Sequence, residues 1–183
     1  WTPLNNGLAN TDVNALAVNF AGQVFAGTRR GVFRSVESGG WMQVNNGLTS
    51  TTVLSLAINA AGQIFAGTYG GGLFRSNDNG RSWKRVNAGL TNTDVRALAV
   101  SPNGMIFAGT DRGGVFRSRD NGGTWTPLNT GLTNQMVFSL SINSRGHILA
   151  GTRGGVFRTT DNAATWSSLN TGLINTEVWC LAM

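Results

Sequence analysis

Three acids of this 183-residue chain stand in one frame: Asp78 in "SNDNGRSW", Asp120 in "SRDNGGTW" and Asp161 in "TTDNAATW", with Glu37 in the shorter "SVESGGW". Carboxylates invite a test for acid–base chemistry. Cleaving a glycosidic bond takes two carboxyl groups on opposite sides of the bond, or a tyrosine nucleophile with an acid partner. Of the eight acids, these four are spent once per octet, and Asp12, Asp94 and Glu177 share one position just before an apolar run. Only Asp111 stands outside both patterns, and Tyr69 has no glutamate beside it. No catalytic pair is expected. His147 is the sole histidine and Cys180 the sole cysteine, so neither a histidine triad, a zinc site nor an intrachain disulfide can be assembled. Cys180, set in "VWCLA", reads as a small core residue. The glycine-rich "GTDRGG" and "GTYGGG" join strand-like runs rather than opening a helix, so no phosphate loop is expected. Neither a metal nor a cofactor is expected.

Cations offer a second chemistry. The net charge is +6, and thirteen of fourteen basic residues are arginine. They are dispersed and lack interleaved aromatic platforms, which argues against nucleic acid as a partner. Arg34, Arg75, Arg117 and Arg158 each precede an octet acid by three residues. That spacing predicts local pairing or hydrogen bonding between repeats. A different group varies from copy to copy: Arg29 and Arg30, then Tyr69, then Asp111 and Arg112, then Arg153. Guanidinium forks beside a tyrosine suit a carboxylate, sulfate, phosphate or sugar ligand, while solvated hairpin tips without a ligand are the plainer reading.

These residues sit in a repeating frame. Trp1, Trp41, Trp83, Trp125 and Trp166 are spaced by 40, 42, 42 and 41 residues. Each tryptophan opens the same script: W-x-x-[LV]-N-x-G-L, V-x-x-L-[AS]-[VI], G-x-[IV]-[FL]-A-G-T and G-[VL]-F-R-[ST]. Four short apolar runs per unit, rich in Val, Ile, Leu and Phe and divided by Gly, Asn, Asp or Pro, predict strands and tight turns. Four antiparallel strands in about 42 residues make one propeller blade. In the third unit, strand A is expected at 95–100, B at 105–110, C at 115–118 and D at 125–129, with Ala108 and Gly109 letting strands converge near the axis. The prediction is one all-β propeller over residues 1–183. Its blades fall at about 12–46, 52–88, 94–130 and 136–171, with an N-terminal D strand at 1–5 and a partial fifth blade from 177. Such an arc is expected to belong to a larger ring or to complete its ring by self-association. A–B and C–D turns should share one face, and B–C and D–A loops the other.

The octets resemble the Asp-box, or BNR repeat, S-x-D-x-G-x-[ST]-W, of sialidase, sortilin, xyloglucanase and photosystem II assembly-factor propellers. Ser76, Asp78, Gly80, Ser82 and Trp83 match throughout, as do Ser118, Asp120, Gly122, Thr124 and Trp125. The copy with Asp161 and Trp166 departs at Thr159 and Ala163. The resemblance implies a structural turn away from the functional face, with the Trp ring packed beneath the hairpin. The sialidase F-R-I-P signature is absent.

The reading is therefore a noncatalytic recognition or scaffold propeller that binds a glycan or protein through the face bearing the B–C and D–A loops. The alternative is a fragment of a sialidase-like or xyloglucanase-like hydrolase whose catalytic acids lie outside this segment. An extracellular or envelope location in a bacterium follows from the resemblance. No apolar run approaches the roughly eighteen residues of a membrane span.

Overall fold

The computed structural model describes residues 3–182 and contains only strands, turns and loops. Sixteen strands form four antiparallel four-stranded sheets. The first holds β1 (Val13–Val18), β2 (Val24–Thr28), β3 (Gly31–Val36) and β4 (Gly40–Gln43). The second holds β5 (Val53–Ile58), β6 (Ile64–Thr68), β7 (Gly72–Ser76) and β8 (Lys84–Arg85). The third holds β9 (Val95–Val100), β10 (Ile106–Thr110), β11 (Gly114–Ser118) and β12 (Thr126–Pro127). The fourth holds β13 (Val137–Ile142), β14 (Ile148–Thr152), β15 (Gly155–Thr159) and β16 (Ser167–Ser168). Strand order follows chain order in every sheet, which is the meander that tight turns dictate.

In the second, third and fourth units the fourth strand is cut to two residues; β12 covers two, not the five expected. An asparagine side chain takes over the ladder. Asn129 Oδ1 accepts the Val115 amide at 2.8 Å, and its Nδ2 donates to the Gly113 carbonyl at 3.0 Å. Asn45, Asn87 and Asn170 accept the amides of Val32, Leu73 and Val156 in the same way. Each amide group presents one acceptor and one donor, as a backbone pair does, so the sheet edge stays satisfied without a strand.

The hydrophobic core lies between blades. Phe25, Val32 and Val44 of the first blade pack with Val53, Leu56 and Trp83 of the second, and equivalent clusters join the second to the third and the third to the fourth. Since each sheet is covered on both faces, its middle strands read as apolar runs rather than alternating ones. Strand β1 packs on β5, β5 on β9 and β9 on β13, whereas β13 has no comparable packing on β1. The described residues therefore form an open arc. Its free face leaves Val13 exposed along with Leu16 and Val18, while Val53, Val95 and Val137, the counterparts of Val13 in the other blades, are fully buried.

A partial fifth blade does not form. Residues 171–182 carry no strand, and neither do 3–12; residues 1, 2 and 183 of the expected terminal strands lie outside the described residues. A strand needs a partner, and among the described residues these segments have no B or C strand to pair with. They nonetheless keep single contacts of the repeat. Leu4 O accepts Trp41 Nε1 at 2.6 Å, and the Val178 amide donates to Thr152 O at 2.9 Å. Cys180, expected in the core, is exposed, since the segment that holds it pairs with no strand among the described residues.

Candidate functional site

The octets close the C–D turns at one end of the blades. Asp78 accepts the Ser82 amide at 2.9 Å and the Ser76 hydroxyl at 2.8 Å, and Ser76 Oγ in turn accepts the Gly80 amide at 2.8 Å. Asn79 and Gly80 take left-handed backbone at φ 57° and 81°, the turn this network encloses. The Ser118–Asp120–Gly122 octet repeats the arrangement with Thr124. In the third octet Thr159 replaces serine, and Ala163 adopts φ 68° where the others have glycine. The hydroxyl of Ser82, then its amide, then the hydroxyl of Ser76 hold the Asp78 carboxyl down at about 2. Hydroxyls of Thr159 and Thr165 do the same for Asp161, also to about 2, and the Thr124 amide leads the lowering of Asp120.

A carboxyl that ionises more readily folded than unfolded adds stability above its unfolded pKa and loses it as protonation overtakes the folded one. Thermal midpoints followed by circular dichroism should be flat from neutrality to about pH 4 and fall from there to about pH 2. Asp78→Asn should make that fall shallower, and an unchanged slope would show that the turn does not use the ionised acid.

The tryptophan after each octet reaches across to the preceding blade rather than only beneath its own hairpin. Nε1 of Trp83, Trp125 and Trp166 donates to the carbonyls of Val44, Val86 and Leu128 at 2.7, 2.8 and 2.9 Å. The recurrent arginines also bridge blades. Nη1 of Arg34, Arg75 and Arg117 donates to the carbonyls of Asn79, Asn121 and Asn162 in the next blade, at 3.0, 2.7 and 3.0 Å. Burial, with Arg119 nearby, depresses the pKa of Arg117. Of the two expected modes, local pairing and bonding between repeats, the second is used, because the left-handed asparagine turns its carbonyl outward toward the neighbour.

The B–C turns and D–A loops lie together at the opposite end, so Arg29, Arg30, Tyr69, Asp111, Arg112 and Arg153 share a face. Gln43 Nε2 and Asn45 Nδ2 both donate to Arg30 O at 2.9 Å, and Ser50 Oγ donates to Tyr69 O at 2.9 Å. Charges on this rim are partly compensated. Arg29 lies 3.7 Å from Asp12, Arg153 4.0 Å from Glu177 and Arg112 3.9 Å from Asp111. Asp94 Oδ1 accepts the Gly70 amide at 2.6 Å, so the three D–A acids do hold hairpin tips. Arg30 has no carboxylate within 4 Å among the described residues, and Tyr69 is more than half exposed.

A constellation that sequence reasoning missed lies inside this rim. Each innermost strand carries a bulge at its second residue, between Val13 and Ala15, Val53 and Ser55, Val95 and Ala97, and Val137 and Ser139. A bulge leaves one residue out of the ladder and re-aims it. The bulged Asn14, Leu54, Arg96 and Phe138, joined by Trp179, line a cavity of about 270 Å³. Arg96 Nη2 bonds Asp111 Oδ2 at 2.9 Å, its guanidinium carbon lies 5.8 Å from the Phe138 ring centroid, and Phe138 stacks on Trp179 at 4.3 Å and 11°. The signal was present in V-x-x-L-[AS]-[VI]: its first variable place runs Asn, Leu, Arg, Phe, Trp, while the next holds only Ala, Ser or Cys. Elsewhere, among the described residues, no three His, Cys, Asp or Glu side chains come together to hold a metal ion.

The fold is that of a β-propeller. Comparison by sequence matches no family model and no curated protein. By structure, the chain is similar to the extracellular domain of a one-component system from B. thetaiotaomicron, at a TM-score of 0.77 and 20% identity over 92% of this chain and 24% of that one. It is similar to the GH74 xyloglucanase of Xanthomonas campestris, at 0.74 and 17% identity over 93% of this chain and 31% of the enzyme. YCF48 bound to D1 peptide aligns at 0.64 and 17% identity over 90% of this chain and 54% of YCF48. The chain thus spans between a quarter and about half of these proteins. No helix of the described residues is long and apolar enough to cross a membrane.

Proposed function

We propose that residues 1–183 form an arc of an Asp-box propeller that acts as a noncatalytic recognition module. It holds a glycan or protein partner on the face bearing the B–C and D–A loops. The observation that carries this reading is where the repeat stops repeating. Octets, inter-blade arginines and asparagine ladders recur almost unchanged, while the residues at the B–C tips and at the bulge differ in every blade. Variation on an otherwise regular scaffold is the mark of a binding surface. An extracellular or envelope location in a bacterium accords with the likeness to the extracellular domain of a one-component system.

Replacing Arg29, Arg30 and Arg153 together by alanine is expected to weaken capture of partners from a glycan array or envelope extract by roughly tenfold or more, about 1.4 kcal/mol. The thermal midpoint should hardly move, since exposed ion pairs contribute little to folding. Turnover of a sialoside or xyloglucan by the wild-type chain would overturn this reading. It would favour the second one, a glycoside hydrolase segment, which the GH74 likeness supports.

A further inference from the structure

We propose that the cavity lined by Asn14, Leu54, Arg96, Phe138 and Trp179 is a subsite for one neutral pyranose ring. The proposal rests on the recognition reading and assigns it a ligand class and a place. The five side chains are 40 to 42 residues apart in sequence and meet only because five successive units turn the same register toward the axis.

Three properties select the ligand. The first is the platform. Phe138 lies between Arg96 and Trp179 in blade order, and its ring stacks on the Trp179 indole at 4.3 Å and 11°. An indole held by stacking presents a rigid apolar surface beside polar groups, which suits the C–H face of a sugar ring. The second is charge. Asp111 pairs with Arg96 at 2.9 Å and is itself largely buried, so the guanidinium enters the cavity already compensated. A carboxylate ligand would have to compete with Asp111, whereas a hydroxyl would not. The third is the pairing of a donor with an acceptor. Among the described residues Arg96 makes a hydrogen bond through Nη2, to Asp111, and none through Nη1. Asn14 commits its Nδ2 to Val53 O at 2.9 Å and keeps Oδ1 free to accept. A sugar hydroxyl both donates and accepts, so adjacent hydroxyls satisfy both atoms. The volume, about 270 Å³, is at the small end for ligand sites and fits one ring rather than a chain of them.

The test uses the full 183-residue chain with methyl β-glucopyranoside, methyl β-galactopyranoside and methyl β-xylopyranoside, followed by saturation-transfer NMR and tryptophan fluorescence, with glucuronate as the charged comparator. At least one neutral glycoside should bind saturably at roughly millimolar strength and more tightly than glucuronate. Trp179→Ala should weaken it by roughly tenfold or more, and Trp179→Phe should restore most of the loss. Asp111→Asn, which leaves Arg96 uncompensated, should reverse the preference toward glucuronate, a change that a purely structural Asp111 would not produce. Wild-type preference for glucuronate, no saturable binding of any neutral glycoside, or binding indifferent to Trp179→Ala would each overturn the subsite. If partner capture still depends on Arg29, Arg30 and Arg153 in those cases, the recognition reading stands and only the subsite falls. If capture is absent as well, both fall.

Discussion

Gly67→Ala is expected to force the second and third blades apart and to cost about 3 kcal/mol, the upper range for overpacking a core. A Cβ built on Gly67 would meet Ser55 Oγ, lie 2.7 Å from Val95 Cγ1 and 2.8 Å from the Val95 carbonyl oxygen. The serine can rotate, but the carbonyl is backbone of the neighbouring blade and already accepts Ser55 Oγ at 3.3 Å. Relief therefore requires one sheet to move relative to the next. The same glycine stripe runs through Gly27, Gly109 and Gly151, against Val53, Val137 and Val178. Gly62→Ala is the control: its φ is +76° with nothing within 4 Å of the added methyl, so it carries backbone strain of about 1 kcal/mol and no clash. Urea denaturation of the two variants separates the effects. Equal losses would mean that the blades are not in close contact along this stripe.

Trp125→Ala is expected to cost about 3–5 kcal/mol, a large share of the 5–15 kcal/mol typical of a folded domain. The ring is 4% exposed and packs with Phe65, Val86 and Phe116 across the second and third blades. Its Nε1 and backbone amide donate to Val86 O and Ala88 O, each at 2.8 Å. Trp125→Phe keeps most of the apolar area but strands the Val86 carbonyl, for a cost of about 1–3 kcal/mol. Hydrogen exchange should report the loss in the second blade as well as the third, because the hydrogen bonds cross the boundary. Protection lost only in the third would show that the tryptophan is a staple within its own hairpin. Trp179→Ala, by contrast, should cost less than about 1 kcal/mol, the scale of one exposed aromatic stack.

Both variants test the feature hardest to read from a single unit. The repeat frame was legible because strand periodicity, turn glycines and the octet are local: an Asp accepting amides four residues on, or a left-handed Asn–Gly, needs nothing from the rest of the chain. Strands A and B of the third blade accordingly fall within one residue of their expected limits. The D strand was overestimated because a two-residue strand completed by an asparagine amide has the same apolar and polar pattern as a longer one. The terminal segments were read as strands from the same residues that form them elsewhere, but a strand is a property of a pair.

The candidate site divides along the same line. The variable tips at Arg29, Arg30, Tyr69, Asp111, Arg112 and Arg153 were visible as departures from a repeat, and their common face follows from the up-and-down order of the strands alone. The compensation of Arg29 by Asp12 and of Arg153 by Glu177 was not visible, since neither ion pair joins residues close in the chain.

What the chain determined by itself was the blade: four runs, their turns and the octet hydrogen bonds, all closed within some forty residues by backbone geometry and short-range polar contacts. What only the tertiary structure decided was the contact of blade with blade and the cavity at the axis. There the bulges turn Asn14, Leu54, Arg96 and Phe138 toward one another and toward Trp179. A bulge is a property of strand pairing within a blade, and a shared cavity is a property of sheets packed side by side, so the cavity does not exist until the blades have packed on one another.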